Sequence, residues 1–304
     1  MDTFKAMRAF VRSLELGSLS AAARELHTTQ SAVSKLVSGL EASLGVRLFQ
    51  RGSARLAPTD EARRFHERAR QLLEDYEEAV AAVREQVRVP RGLLRVSAPL
   101  ALGQARLNGL LLEFLSGYPE IEVELRLDDR FIDLVEEGMD VALRFGRHLP
   151  PDLIARPLCS SPRWLVAAPE YLRHRPAPAR PEELASHDYL RYARAPADSV
   201  TLSNASGSVQ VPVRSRYRVD SAMAILDGVL AGAGVALEPA WLVAGLVDAG
   251  RLQRLLPQWC GPSQEVFLLH VQRRQQPLRV RVLLDFLAER VAALPGMQAG
   301  AGAG

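Results

Sequence analysis

The chain has 304 residues, is 48% hydrophobic and 24% charged, and carries no long polar low-complexity run; this excludes a disordered chain and predicts two or three folded domains with hydrophobic cores. The formal net charge is only +3, yet residues 1–58 hold eight Lys and Arg against four Asp and Glu, so the basic excess sits at the N-terminus, where it suits a polyanion such as DNA. Two distant cysteines, Cys159 and Cys260, and an opening MDTFKAMRAF without an apolar signal core argue against a disulfide framework and a secretory leader, and set the expectation of a cytoplasmic protein.

Phe4, Met7, Phe10, Val11 and Leu14 recur at three and four residues and predict a helix over 4–16, ended by Gly17. Ser18 or Ser20 can cap a second, short helix through Leu26, because a hydroxyl accepts bonds from the free amides of a first turn. Thr28 or Thr29 repeats the device for a third helix running to about Leu44. Ala23 lets the third helix pass close by, while Leu26, Val33 and Leu36 fill the angle between two helices joined by a short turn. This is helix-turn-helix spacing, although any short helical hairpin needs a small residue and some leucines. The exposed residues are more specific. With Val33, Leu36, Val37 and Leu40 turned inward, Gln30, Ser31, Ser34 and Lys35 lie outward at the N-terminal end of the third helix, suited to base edges and phosphates. Beyond it, GVRLFQRGSARLAPT places Arg47, Arg51 and Arg55 around a Gly-Ser turn and reads as a small β-wing with phosphate-contacting arginines.

From 59 to about 87 the sequence reads as one long helix. Ala62, Phe65, Ala69, Leu72, Tyr76, Ala79 and Val83 alternate steps of three and four, the mark of a two-helix seam, with an amphipathic helix packed on its own domain as the alternative. VPRG, residues 89–92, breaks this helix and forms a hinge. Residues 93–294 then alternate strand and helix patterns: LLRVSA, a helix through LNGLLLEFLSGYP, IEVELRL, a helix FIDLVEEG and VALRFG; then WLVAA, HDYLRY, VQVPVRSRYRVD, a helix from Ser221, GVALEP, EVFLLHV and a last helix. Such alternation predicts a sheet covered by helices in two lobes: the first about 93–161 and 265–294, the second about 162–264, with 295–304 as a flexible tail. The stretch 222–247 is the best membrane candidate, but Asp227, Glu238 and Pro239 interrupt it and its glycines read as turns around a buried strand.

Two lobes imply a cleft, and strand ends that start helices are its natural lining, since free backbone amides favour an anion or a carbonyl oxygen. SAPL, with Ser97, Pro99 and Leu100, is one such place; VDSA, with Val219, Asp220 and Ser221, is another. No catalytic constellation accompanies them. The six histidines make no HExxH or paired-ligand spacing, there is no GxSxG elbow or P-loop lysine, and AGAGV at 231–235 precedes a strand instead of following one. Neither an enzyme nor a metal or cofactor is expected.

The sequence resembles the LysR-type transcriptional regulators. The resemblance rests on AMRAFVRSLELGSLSAAARELHTTQSAVSKLVSGLEASLGVRLFQR and continues through GLLRVSAPLALG, LRLDDRFIDLVEEGMDVALRFG and LVAAPEYL, covering nearly the whole chain except the Gly-Ala tail. Ala54 stands where a second wing arginine is common, Ala62 where a glycine often follows the wing, and Lys35 replaces the more frequent arginine. The resemblance implies a multidomain α and α/β protein: a winged helix-turn-helix over 1–58, a dimerisation linker helix over 59–88, and a two-lobed regulatory domain of the periplasmic-binding-protein type. It also implies a double-stranded DNA operator, a small effector, which the helix starts at Ser97 and Ser221 favour as anionic, a homodimer or homotetramer, and RNA polymerase as a partner if the regulator activates. By the same resemblance Asp128, Arg144, Phe145 and Trp164 border the cleft. Each has a plainer reading: Ser97 and Ser221 as helix caps, Phe145 and Trp164 as core, Arg144 as a partner of Asp128. The competing class is a ligand-binding protein whose helical N-terminus serves only assembly, which predicts no salt-sensitive DNA binding.

Overall fold

The computed structural model describes residues 2–50, 56–83, 89–130, 133–146, 151, 153–195, 198–272 and 276–299, with only the backbone at 74, 75, 78, 79 and 81–83. The chain divides into two compact units, Met1–Gly92 and Leu93–Gly304.

The first unit is built from four helices whose ends are set locally. Helix α1, Thr3–Glu15, starts at Asp2, whose carboxylate accepts the Lys5 amide at 3.2 Å, and stops before Gly17 at φ +62°. Ser18, not Ser20, caps α2, Leu19–Glu25, and Thr29, not Thr28, caps α3, Gln30–Leu44. Between them the His27 amide donates to Arg24 O at 3.2 Å and the Thr28 amide to Ala23 O at 2.9 Å, closing α2 with His27 in the left-handed region at φ 50°. That paired closure normally uses glycine; here the bonds to Ala23 and Arg24 hold a histidine in the conformation. Helix α4, Asp60–Val83, follows. Phe10 is fully buried between Phe49 and Phe65, at ring-centroid distances of 5.7 and 5.6 Å, and Ala22, Ala23, Val33, Val37 and Leu40 complete the same core.

In the second unit a single mixed sheet runs in the order β2-β1-β3-β11-β4-β9-β5-β8. Its strands are β1, Gly92–Ala98; β2, Ile121–Leu127; β3, Val141–Phe145; β4, Leu153–Ala167; β5, Asp188–Tyr192; β8, Arg214–Val219; β9, Val235–Pro239; and β11, Gly261–Val271. The short β10, Gln253–Leu255, and β12, Gln298–Ala299, both pair with β4, and β6, Ser199–Asn204, with β7, Gly207–Pro212, forms a separate hairpin. Helix α5, Leu100–Leu102, passes through a π-helical turn, Gly103–Leu107, into α6, Asn108–Gly117; then come α7, Pro169–His174, a 3₁₀ turn, Pro181–Ser186, α8, Ala222–Leu230, α9, Ala240–Asp248, and α10, Leu278–Ala292. Strands β4 and β11 are long enough to serve both lobes: β4 pairs with β11 from Leu153 to Arg163 and with β9 along Arg163–Ala167, while β11 also carries β3. Phe114 of α6 meets Phe286 of α10 at 5.2 Å within the large core that also takes in Trp241 and Val166.

Three sequence expectations change, and a fourth holds. Of FIDLVEEG, Phe131 and Ile132 lie outside the described residues and the rest forms turns, closed by Met139 N bonding Leu134 O across Gly138 at φ +64°. VQVPVRSRYRVD is two strands, because β7 pairs with β6 up to the bond from Val213 N to Asp198 O, whereas β8 pairs with β5. The Gly-rich AGAGV is the expected turn before a strand, and a Cβ on Gly234 would lie 2.2 Å from Asp188 O. Residues 295–299 are not a loose tail: Gln298 and Ala299 pair with Ser160 and Cys159 of β4.

Candidate nucleic-acid interface and cleft

Thr28, Thr29, Gln30, Ser31, Ser34 and Lys35 are all exposed, on the turn and first two turns of α3, while Val33 and Val37 on the opposite face are buried. Thr29 Oγ1 accepts the Ala32 amide at 3.2 Å and lies 3.0 Å from Ser31 Oγ, so the helix start is fixed by its own side chains. Arg47 is exposed and pairs with Glu41 at 3.4 Å. Arg51 and Arg55 lie outside the described residues. The base of the wing is formed by a bridge from Phe49 to Pro58, with Gln50 N donating to Ala57 O and Thr59 N to Leu48 O.

Glu41 is a residue that spacing alone did not single out. Its Oε1 accepts the amides of Leu48 at 2.8 Å and Phe49 at 3.2 Å, and its side chain is only 10% exposed. One carboxylate thus fastens α3 to the segment that follows it at Leu48 and Phe49. Leu40 and Glu41 lie within the segment that carries the family resemblance, which was the available signal, but no local rule links position 41 to positions 48 and 49.

The seam expected along α4 divides. Ala62 and Ala69 are fully buried in the core shared with α1, and Phe65 packs on Phe10, so these three are committed within one chain. Leu72 and Tyr76 are 52% and 46% exposed, and Tyr76 stacks on the exposed Phe4 at 4.2 Å. The side chains of Ala79 and Val83 lie outside the described residues. Alternating steps of three and four mark an apolar stripe without saying what covers it, and here α1 covers its first half.

Six cleft candidates lie at the ends of β1, β2 and β3. Ser97 is fully buried, and its hydroxyl accepts from Arg144 Nη2 at 2.8 Å. It does not cap a helix; Pro99 occupies the cap position of α5, and the Leu100 amide donates to Asp129 Oδ1 at 3.0 Å. Arg144 is 3% exposed and also donates to Leu143 O at 2.7 Å. Burial lowers its pKa, with Asp128 and Asp129 opposing the shift from a distance. Asp128 is held below the usual carboxylate range chiefly by the Arg130 amide, which it accepts at 2.8 Å. Phe145 stacks on the buried Trp241 at 5.9 Å.

A second group forms at the ends of β5 and β8. Ser221 caps α8 by accepting the Ala224 amide at 3.3 Å, Asp220 is exposed 3.9 Å from Arg194, and Val219 O accepts the Ala193 amide. Burial raises the pKa of the Tyr192 hydroxyl, and the charges of Asp129 and Asp220 add to the rise. Trp164 has other neighbours, Glu238 across the ladder and the Arg254 guanidinium 4.5 Å over its ring. Glu238 is 2% exposed, and burial pushes its carboxyl up to about 8 against the opposing charge of Arg163, so it is mostly uncharged at neutral pH. Among the described residues no group of His, Cys, Asp and Glu could hold a metal ion, and no helix is long and apolar enough to cross a membrane.

Residues 4–63 match the family model described as a bacterial regulatory helix-turn-helix protein, lysR family, and residues 88–292 match the LysR substrate binding domain. Among similar proteins, the probable HTH-type transcriptional regulator LtrA of Klebsiella pneumoniae is 31% identical over 94% of this chain and 94% of its own length. The HTH-type transcriptional regulator PtxR of Pseudomonas aeruginosa is 32% identical over 94% of this chain and 92% of its own. The solved structure of CrgA, a LysR-type transcriptional regulator from Neisseria meningitidis, aligns with a TM-score of 0.61 at 30% identity, covering 94% of this chain and 97% of that one.

Proposed function

Because the chain belongs to the LysR family of transcriptional regulators, with a helix-turn-helix DNA-binding domain followed by an effector-binding domain, we propose that α3 reads a pseudo-palindromic operator through Gln30, Ser31, Ser34 and Lys35. Thr28 and Thr29 stand at the phosphate backbone beside the helix start, and Arg47, Arg51 and Arg55 hold phosphates from the wing. The observation that carries this reading is the exposed polar end of α3, fixed by the His27 turn and the Thr29 cap. The DNA-binding part spans 1–58, the linker 59–88 and the regulatory part 93–294. A palindromic site needs two recognition helices, and Leu72, Tyr76 and Phe4 offer an exposed apolar surface for the dimer; a tetramer, a cytoplasmic location, contact with RNA polymerase and the absence of enzymatic activity complete the proposal.

The effector is a small molecule, anionic or carbonyl-bearing, held between the group at Ser97 and Arg144 and the group at Ser221. Support comes from the largely buried Arg144, whose hydrogen bonds go to neutral oxygens of Ser97 and Leu143 and which therefore favours a negative charge nearby. Selection of bound DNA from a random pool by the full chain tests the class. Enrichment of a two-fold symmetric site, weakened by salt, is the expected result; a chain that enriches nothing belongs to the ligand-binding alternative.

A further inference from the structure

We infer that residues 294–299 form a strap that locks the strands joining the two lobes and so sets how freely the cleft opens. The inference goes beyond DNA recognition; its structural half stands by itself, and only its regulatory consequence rests on the effector cleft proposed above.

The strap lies where β4 changes partners. This strand pairs with β11 as far as Arg163, which faces Gly261, and with β9 from Arg163 onward, so residues 160–163 are the passage from one lobe to the other. The matching passage in β11 has an irregular register between Gly261 and Gln264. A strand bent or loosened there lets the lobes move, whereas added pairing resists it. Strand β12 supplies that pairing, with Gln298 opposite Ser160 and Ala299 opposite Cys159.

Three further contacts fasten the same place. Ser161 Oγ donates to Gly296 O at 2.8 Å and accepts the Trp241 amide at 3.2 Å, joining strap, β4 and the first turn of α9 through one buried hydroxyl. The Cys159 thiol donates to Met297 Sδ at 3.6 Å, and Leu294 and Met297 pack on the large core. Gly296 has φ +79°, and a Cβ there would lie 2.3 Å from Ala240 C and 2.4 Å from Ala240 O, so only glycine lets the strap lie against the start of α9. From the other side Arg106, in the π-helical turn, donates twice to Trp241 O, at 3.0 and 2.8 Å. π-helical turns recur at functional positions. Trp241 is therefore gripped by segments from β4, the strap and the helix after β1.

The test uses the full chain, a chain lacking 300–304, a chain ending at Pro295, and Gly296→Val. Hydrogen exchange is followed in peptides covering 157–163 and 239–243, with 94–98 of β1 as the internal control. Spin labels at Asp285→Cys and His174→Cys, in a Cys260→Ser background and diluted tenfold with unlabelled chain, report the distance between lobes; both side chains are more than four-fifths exposed. The expected result is exchange at least tenfold faster in both peptides, and a broadened distance distribution, for the chain ending at Pro295 and for Gly296→Val, with no change at 94–98 and none on removing 300–304 alone. Unchanged exchange and distances overturn the strap, and so does acceleration that spreads equally to 94–98, because that reports general loosening. Neither readout involves DNA or an effector, so failure here is distinguishable from failure of the operator reading.

Discussion

Gln30 and Lys35 sit on the same exposed end of α3 but carry different chemistry. An amide can pair bidentately with one base edge, whereas an ammonium is a point charge satisfied by any phosphate. Gln30→Ala is expected to lose about 1 to 3 kcal/mol of discrimination at particular base pairs in a competition titration. Lys35→Ala should weaken all sequences alike and lower the salt dependence of binding by roughly one unit; loss of sequence preference instead would make it a base contact. His66 gives a residue-scale prediction of another kind. Its ring lies 3.3 Å from Glu15 of α1, and that hydrogen bond, helped by Glu67 and opposed by burial, raises its pKa from 6.5 to about 9. A raised folded-state pKa stabilises fully below the unfolded value and loses the effect as pH climbs through the folded one. The difference in unfolding midpoint between the parent and His66→Gln should therefore be largest below pH 6.5 and gone above about pH 9. A difference that grows with pH would mean that the ring is neutral in the folded chain.

At the scale of elements, α3 and the wing depend on each other through Glu41. Glu41→Ala leaves the amides of Leu48 and Phe49 without their acceptor beneath buried side chains, a cost of about 1 to 3 kcal/mol. The expected signature is weaker DNA binding at nearly unchanged sequence preference, since α3 keeps its own cap while the wing loses its anchor; an altered preference would place the effect on α3. Helix α4 is the second case. Leu72→Glu adds a charge to the exposed Leu72, Tyr76 and Phe4 surface without touching the buried Ala62 and Ala69. The monomer should fold normally and the dimer should weaken by several kcal/mol, as read by sedimentation, because an unpaired ion would be desolvated at the contact. A variant that remains a tight dimer would assign association to the regulatory domain.

For the whole molecule, the two groups of cleft residues make a joint prediction. Calorimetry of the full chain against a metabolite panel should find an anionic or carbonyl-bearing ligand, and Arg144→Gln should reduce its affinity tenfold or more, in line with about 1.5 to 3 kcal/mol for a charge-assisted hydrogen bond. A cationic ligand, or one indifferent to Arg144, would overturn the electrostatic argument. The Ser221→Ala variant loses a helix cap, so its stability must be measured beside its affinity.

The helices of the first unit were legible in the sequence because their determinants are local: Gly17, a hydroxyl at the caps of α2 and α3, and apolar residues three and four apart. Most strands of the central sheet were legible for the same reason, whereas β6, β10, β12 and the first half of β4 were not; Ser97 was legible as a strand end, and Asp128 and Arg144 only through the family resemblance. What covers an apolar stripe is not local, so the division of α4 between α1 and an open surface needed the folded chain. Glu41 reaches amides seven and eight residues on, Arg106 reaches Trp241 O across 135 residues, and the end of the chain finds the middle of β4. Such pairings depend on which backbone groups the completed sheet and core leave unsatisfied, and only the tertiary structure decides that.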